Sequence, residues 1–279
     1  MHGINKMKNS KKYAKSRGVV VFAFNTTVDY VAIADQTSRI ISHALNLPIT
    51  LVTDLDSEPN FAYDNIIRLD PEHGNIRMNL NSQQIEWRNF GRYLAYELSP
   101  YEETVLLDTD YLVFDNSLLK LFATNFDYRL MHHNATESGP SYEQMGETSL
   151  PFVWATVVLF RKTERAKLFF NLVGRIQRNY SYYRNLYNIR ERNFRNDYAF
   201  AIANNILSGY SLNEDRGIPW AMFTIEKKIE KIMLTDNFIQ VYYDNEATMV
   251  PYQNIHVMDK NYLQSRDFEQ VVEAICEST

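Results

Sequence analysis

Val105-Leu106-Leu107-Asp108-Thr109-Asp110-Tyr111-Leu112-Val113-Phe114-Asp115 is the stretch on which the reading of this chain turns. An apolar run enters two aspartates one residue apart. Thr104 to Leu107 reads as a short strand buried on both faces, because parallel strands covered by helices on each side lose their polar alternation. In a doubly wound sheet, ligands bind beyond the carboxyl ends of the strands, which is where Asp108 and Asp110 fall. Residues i and i+2 of an extended segment share a side. Both carboxylates are thereby brought toward one hard cation that also takes oxygens from a diphosphate. Turn formation or helix capping is the alternative role for either aspartate.

Working back toward the N-terminus, Gly18 to Phe24 is a continuous β-branched and aromatic run, as in a central parallel strand. Thr27 is a helix N-cap with Asp29 in the first turn. Val31, Ala34, Ser38, Ile41 and Leu45 then share one helical face, and Pro48 closes the helix. Ile49 to Thr53 is a second buried strand running into Asp54. Asn65 to Leu69 is a third, and Ile85 to Leu98 reads as a helix with Trp87, Leu94 and Leu98 inward, stopped by Ser99 and Pro100. This alternation predicts an α/β fold with a mostly parallel central sheet flanked by helices. Working forward, a strand at Tyr128 to Met131 precedes a polar loop from His133 to Leu150 holding Gly139, Pro140 and Gly146. It is long for a compact domain and is expected to close as a lid over ligand. A strand at Phe152 to Phe160, a helix capped by Thr163, a basic tract from Arg175 to Arg195, a helix from Asn196 to Leu207 and a strand from Phe238 to Tyr243 follow. The expected organisation is a flexible basic tail over residues 1–17, a ligand-binding half over 18–160, and an acceptor-binding half over 161–279 that completes the same domain.

With 279 residues, 45% of them hydrophobic and 14% aromatic, the chain suits one large α/β domain with a packed core. A net charge of -5 argues against a surface devoted throughout to nucleic acid. The single cysteine, Cys276, excludes an intramolecular disulfide and a cysteine-only zinc site, and no disulfide-linked partner is expected. Lys8, Lys11, Lys12, Lys15 and Arg17 precede the apolar run from Val19 to Phe24 and imitate a secretory signal. Asn25, Thr26, Thr27 and Asp29 cut that run short, and no later stretch approaches the roughly 20 apolar residues of a membrane span. The expectation is a cytoplasmic protein without membrane attachment.

The Asp108-Thr109-Asp110 stretch, in its place after a strand-helix-strand opening, resembles the Asp-x-Asp motif of the GT-A glycosyltransferases, glycogenin-like members in particular. The resemblance runs in motif order from Val19 to Lys260. It implies a Rossmann-like GT-A fold whose residues 18–160 bind a nucleotide-sugar, with a UDP-sugar expected. It implies a divalent ion, Mn(2+) or Mg(2+), held by Asp108, Asp110 and His256. Phe24, Asn25 and Thr26 correspond to donor contacts, and Tyr30 to the aromatic that stacks on uracil. Asp54, Arg88, Arg92, Thr109, Trp154 and Lys260 complete the implied donor set. A structural role is open for several: Asn25 to Thr27 form a helix cap, Tyr30 covers a sheet edge, and Asp54 forms a turn. The chain departs from the family where Pro-Trp follows the lysine, where Asn-x-Gly becomes Trp154-Ala155-Thr156, and where Asp-Gln-Asp becomes Arg195-Asn196-Asp197. Asp197 takes the acidic position, either on sugar hydroxyls, in acid/base work, or as a cap.

Three rivals share some of these signals. A haloacid dehalogenase-type phosphatase also uses Asp-x-Asp after an apolar strand, but on the first strand and with a later acidic pair. A nucleotidyltransferase wants glycine in the first loop, where this chain has Asn25-Thr26-Thr27-Val28. A non-catalytic nucleic-acid or carbohydrate-binding protein is the third, since fold alone does not fix activity. For the acceptor, Arg175, Arg178, Arg184, Arg190, Arg192 and Arg195 are interleaved with Tyr180, Tyr182, Tyr183, Tyr187, Phe194 and Tyr198. That pattern suits a phosphate backbone with an exposed base. It makes DNA the expected acceptor, through a hydroxymethylated base such as those of some bacteriophage genomes, with host cytoplasm as the location. Arg184, Arg190, Arg192 and Arg195 are the residues assigned to it. A solvated helix and loop with tyrosines packed beneath explains the same composition, and a surface glycan or a protein is the rival acceptor.

Overall fold

The computed structural model describes residues 16–70, 75–78, 84–141, 150–211, 217–235, 237–251 and 253–277. The chain opens with β1 (Arg17–Phe22), α1 (Tyr30–Leu45), β2 (Ile49–Thr53) and β3 (Asn65–Arg68). A hairpin of β4 (Asn75–Met78) and β5 (Gln84–Trp87) leads through a 3-10 segment at Asn89–Leu94 to α2 (Ala95–Leu98), β6 (Glu103–Leu107) and β7 (Tyr111–Leu112). Next come α3 (Ser117–Lys120), β8 (Tyr128–Met131), β9 (Asn134–Thr136), β10 (Gly139–Pro140), β11 (Trp154–Arg161), α4 (Glu164–Arg178), α5 (Tyr180–Leu186) and α6 (Asn196–Leu207). The chain continues with β12 (Met222–Ile225), β13 (Lys231–Leu234), β14 (Phe238–Tyr243), β15 (Glu246–Pro251), β16 (Ile255–Val257), α7 (Lys260–Leu263) and α8 (Arg266–Glu277).

The central sheet has six strands in the order β3-β2-β1-β6-β11-β8. β1 runs parallel to β2 and β6, and β2 to β3, whereas β11 is antiparallel to both of its neighbours. The reversal has a consequence for the site: Leu107 at the carboxyl end of β6 lies opposite Val157 near the start of β11. Side chains alternate faces along each strand. Val20, Phe22, Leu106, Val158 and Phe160 pack with α4 and α6, while Val19, Val21, Val105, Leu107, Val157 and Leu159 pack with α1. Both faces are covered, which is why these strands read as unbroken apolar runs.

α1 is itself enclosed. Val31, Ala34 and Ile41 face the central sheet, and Ile33 and Ile40 face a third cluster built from β12 to β16 and α8. A second sheet, β10-β9-β12-β16-β7, and an antiparallel meander, β13-β14-β15, supply that cluster. The residues between β6 and β7 are therefore the crossing point from the central sheet to the second sheet. One close approach is fixed by a missing side chain: a Cβ on Gly18 would stand 2.3 Å from the Tyr101 ring. The Tyr101 hydroxyl shares a buried hydrogen bond of 2.8 Å with Thr50.

Several expectations are corrected here. The N-cap of α1 is Asp29, whose Oδ1 accepts from Ala32 N–H at 2.9 Å, and not Thr27. Ile85 to Leu98 is not one helix, because β5 claims its start and Asn89 and Gly91 are poor helix formers; only the last turn is α-helical. Arg88 precedes the 3-10 segment and Arg92 lies within it, and they take different partners, Glu86 and Asp108. Arg17 belongs to β1, where it pairs with Glu103 at 2.5 Å, and not to the tail. The polar segment after His133 forms the short strands β9 and β10. The tail over residues 1–15 and the loop over 142–149, with its expected lid role, lie outside the described residues.

Candidate active site

Asp108 follows the last residue of β6, and its N–H still donates to Thr156 O on β11 at 3.0 Å. The chain then turns instead of running on extended, with Tyr111 N–H donating back to Asp108 O at 3.3 Å. The expected same-side arrangement of an extended i, i+2 pair is thus replaced by a turn, because β7 must leave for the second sheet. Asp108 faces the segment before α2, and Asp110 faces β16 and α7.

Each carboxylate meets a cation. Arg92, 1% exposed at its side chain, donates from Nη1 to Asp108 Oδ1 at 2.6 Å, and from Nη2 to the Ala155 and Thr156 carbonyls. Lys260 Nζ stands 2.5 Å from Asp110 Oδ2 and donates to the carbonyls of Val257 and Met258 at 3.1 and 3.2 Å. His256 Nε2 lies 3.4 Å from the same Asp110 oxygen. Burial raises the Asp108 carboxyl above its ordinary range, with Arg92 opposing and Asp110 adding to the rise. Burial also acts to raise Asp110, but Lys260 and His256 outweigh it and hold that carboxyl well below the ordinary range.

The partners of His256 orient its ring. Thr224 spends its one hydroxyl proton on Asn134 Oδ1 at 2.6 Å, so at 3.2 Å it accepts from His256 Nδ1. That leaves His256 Nε2 as the ring nitrogen turned toward Asp110 Oδ2, at 3.4 Å. This support comes from the register of the second sheet, which pairs Thr224 with His256 and Met222 with Asn134.

These groups open on a cavity of about 160 Å³. Its wall carries Phe24 and Tyr30 from the β1 side, Asp108, Thr109 and Asp110 in the middle, and Trp154 and Asp197 from the β11 and α6 side; Arg88, Arg92, Arg195, His256 and Lys260 complete the predicted set there. Asn25 and Asp54 line a larger adjoining cleft of about 600 Å³ that shares Arg88 with the first. That cleft is strongly acidic, with Asp29, Asp35, Asp56, Glu58, Asp70 and Glu86 on its wall. Asn25 and Asp54 act as structural acceptors. Asn25 Oδ1 takes Val31 N–H at 3.0 Å, and Asp54 takes the N–H groups of Asn25 and Ser57 at 3.1 and 2.8 Å. Burial raises the Asp54 carboxyl, and bonds from Ser57 and Asn25 bring it below its ordinary range. Thr26 lines neither cavity and closes the turn before α1, accepting from Val28 N–H. Asn196 and Met258 were missed as wall residues, because nothing in their own sequence marks them and α6 and β16 bring them in.

Asp197 is tied on both oxygens: Oδ1 accepts from Ala155 N–H at 3.0 Å, and Oδ2 pairs with Arg195 at 2.6 Å. Arg195 therefore lines this cavity. The rest of the basic tract is split by packing. Tyr180, Tyr183 and Phe194 are buried, Tyr180 and Phe194 edge to face at 5.4 Å, and Arg184 donates to the carbonyls of Glu191 and Arg190. Arg190, Arg192 and Tyr182 are exposed.

No family model and no curated protein matches the chain. Among solved structures, an active-site mutant of LgtC aligns with 94% of this chain and 95% of its own at a TM-score of 0.53 and 16% identity. The chain has the LgtC fold. The galactosyltransferase LgtC in complex with donor and acceptor sugar analogs aligns over the same shares at 0.51. The glycosyltransferase GlyE of Streptococcus pneumoniae aligns with 73% of this chain at a TM-score of 0.39 and 14% identity, and the chain spans 45% of its length. The central sheet and its flanking helices are thus those of the LgtC-like glycosyltransferase fold, as the sequence predicted. No described helix is long and apolar enough to cross a membrane.

Among the described residues no three His, Cys, Asp or Glu side chains are drawn together as a metal cage. The donor set nevertheless fits a divalent ion. Asp110 Oδ1 is buried without a hydrogen-bond partner, and a carboxylate pair with an imidazole suits manganese or a similar divalent ion better than calcium.

Proposed function

We propose that the protein transfers a sugar from a nucleotide-sugar, a UDP-sugar being the expected donor, to an acceptor hydroxyl. The observation that carries this reading is the meeting of Asp108, Asp110, His256, Lys260, Trp154 and Asp197 in one cavity at the carboxyl end of β6, on the LgtC fold. LgtC has been seen with donor and acceptor sugar analogs, which supports a donor site here. A divalent ion held by Asp108, Asp110 and His256 would supply Lewis-acid stabilisation of the charge that builds on a leaving diphosphate. The protein's own groups divide the remaining work. Tyr30 and Phe24 offer aromatic surface on the β1 side for a base, and Arg88 and Lys260 offer charge to phosphate. Asp197, locked by Ala155 and Arg195, keeps further lone pairs for sugar hydroxyls.

The test is calorimetric binding of UDP with and without manganese, followed by sugar-nucleotide turnover in Asp108→Asn and Asp110→Asn. Binding that needs the metal, with turnover lost in both variants and folding retained, is expected. Normal turnover in both variants would refute the assignment. A phosphatase would hydrolyse a phosphomonoester, and a metal-free binding module would bind without the ion.

For the acceptor, the proposal remains a hydroxyl on DNA, carried by Arg190, Arg192 and Tyr182, which are all exposed. The burial of Tyr180, Tyr183 and Phe194 removes three of the stacking groups on which that idea drew. A glycan or protein acceptor calls for no such patch.

A further inference from the structure

The carboxylates of the cavity are each neutralised by the chain itself: Arg92 sits on Asp108, Lys260 on Asp110, and Arg195 on Asp197. The three pairs differ in freedom. Arg92 is buried and anchored to two backbone carbonyls, and Arg195 is held by two bonds to Asp197. Lys260 also donates to the carbonyls of Val257 and Met258, but its side chain is 18% exposed where that of Arg92 is 1%. It ends in a point charge on a flexible four-carbon stem, and its single contact with Asp110 is on the oxygen that His256 Nε2 also faces. The second oxygen of Asp110 is buried without a partner. Asp110 is thus a ligand half occupied by a displaceable cation.

We propose that Lys260 is a tethered stand-in for the divalent ion, holding Asp110 until ion and nucleotide diphosphate arrive together, and then passing its charge to the diphosphate. This rests on the donor-site reading above. The charge balance supplies the reason. Asp108 and Asp110 against Arg92 and Lys260 sum to zero, so a divalent ion entering alone brings two uncompensated positive charges into a site of low polarisability. An ion entering with the diphosphate of a nucleotide-sugar, which carries two negative charges, leaves the balance unchanged. UDP, with its ionising terminal phosphate, compensates the ion at least as fully, and Lys260 exchanges a carboxylate for a phosphate. Ion and nucleotide must therefore strengthen each other's binding, reciprocally and by the same factor.

The experiment measures manganese binding by loss of the free-ion electron paramagnetic resonance signal, with and without UDP, in the wild-type protein, Lys260→Met and Lys260→Arg. Thermal melts confirm that each is folded. In the wild type, UDP is expected to tighten manganese binding at least about tenfold, or about 1.4 kcal/mol. Lys260→Met should bind manganese alone at least about tenfold more tightly than the wild type does, while UDP adds less. Lys260→Arg should restore the wild-type pattern. If the wild type binds manganese with UDP but Lys260→Met binds manganese alone no better than the wild type, this inference fails and the donor-site reading stands. If no combination of manganese and UDP binds to the wild type, both fall.

Discussion

Replacing Arg92 by methionine keeps much of the buried volume but removes the cation beneath Asp108. The guanidinium is 1% exposed and Asp108 28% exposed, so one partner of the pair is fully desolvated and the other is partly wet. Breaking a buried pair costs about 3–5 kcal/mol, and access of water to Asp108 places this one near the lower end, about 3 kcal/mol. The carbonyls of Ala155 and Thr156 also lose their Arg92 donor, for about 1 kcal/mol more in total. A loss of about 4 kcal/mol corresponds to a fall in Tm of about 10 °C for a chain of this size. Urea unfolding followed by circular dichroism would measure it in Arg92→Met, Asp108→Asn and the double variant. With the charge of Asp108 removed, the guanidinium is missed less, so the two losses should fall short of additive by about 2 kcal/mol. An Arg92→Met protein within about 1 kcal/mol of wild type, or strictly additive losses, would refute the account of Arg92 as the clamp on Asp108.

Three further outcomes are expected. Burial raises the Glu103 carboxyl, but bonds from Arg17 and Arg161 outweigh it and leave it below its ordinary value. A depressed folded value means stability present above the unfolded value, about pH 4.3, and lost as pH falls through the folded one. Glu103→Gln should therefore cost about 2 kcal/mol at pH 7 in denaturant unfolding, a gap that narrows below about pH 4; a gap that does not depend on pH would count against the linkage. Gly18→Ala should destabilise by at least about 2 kcal/mol, since its methyl meets the Tyr101 ring and the Thr50 bond behind it; a neutral result in the same assay would mean that the ring is free to move. If DNA is the acceptor, duplex binding should weaken steeply with salt and fall in Arg190→Ala with Arg192→Ala, whereas salt-insensitive or undetectable binding would remove DNA from consideration.

The central sheet was legible because burial on both faces writes itself into β1, β2, β6 and β11 as unbroken apolar runs, and the breaks between them are local. Thr163 and its helix, and the strand at Phe238–Tyr243, are likewise signalled by neighbours in sequence. The segment from Ile85 to Leu98 was misread because its fate depends on pairing with residues before it and on burying Arg92, neither of which a helical pattern records. The tyrosines of the basic tract show the same limit. Their spacing does not say which rings pack beneath the arginines, and contacts across the fold bury Tyr180 and Tyr183 while leaving Tyr182 in solvent.

By itself the sequence determined that two aspartates would end a buried strand of an α/β sheet, since hydrophobicity and the position of Asp108 and Asp110 are local properties. Only the tertiary structure decided what those aspartates face. Arg92 is 16 residues from Asp108 in the chain, and Ala155, whose N–H holds Asp197, is 42 residues from it. Thr224, Asn134 and His256 meet only because β9, β12 and β16 are neighbours in the second sheet. Electrostatic balance in a cavity depends on distance through space, and no pattern along the chain specifies that Lys260 rests on Asp110.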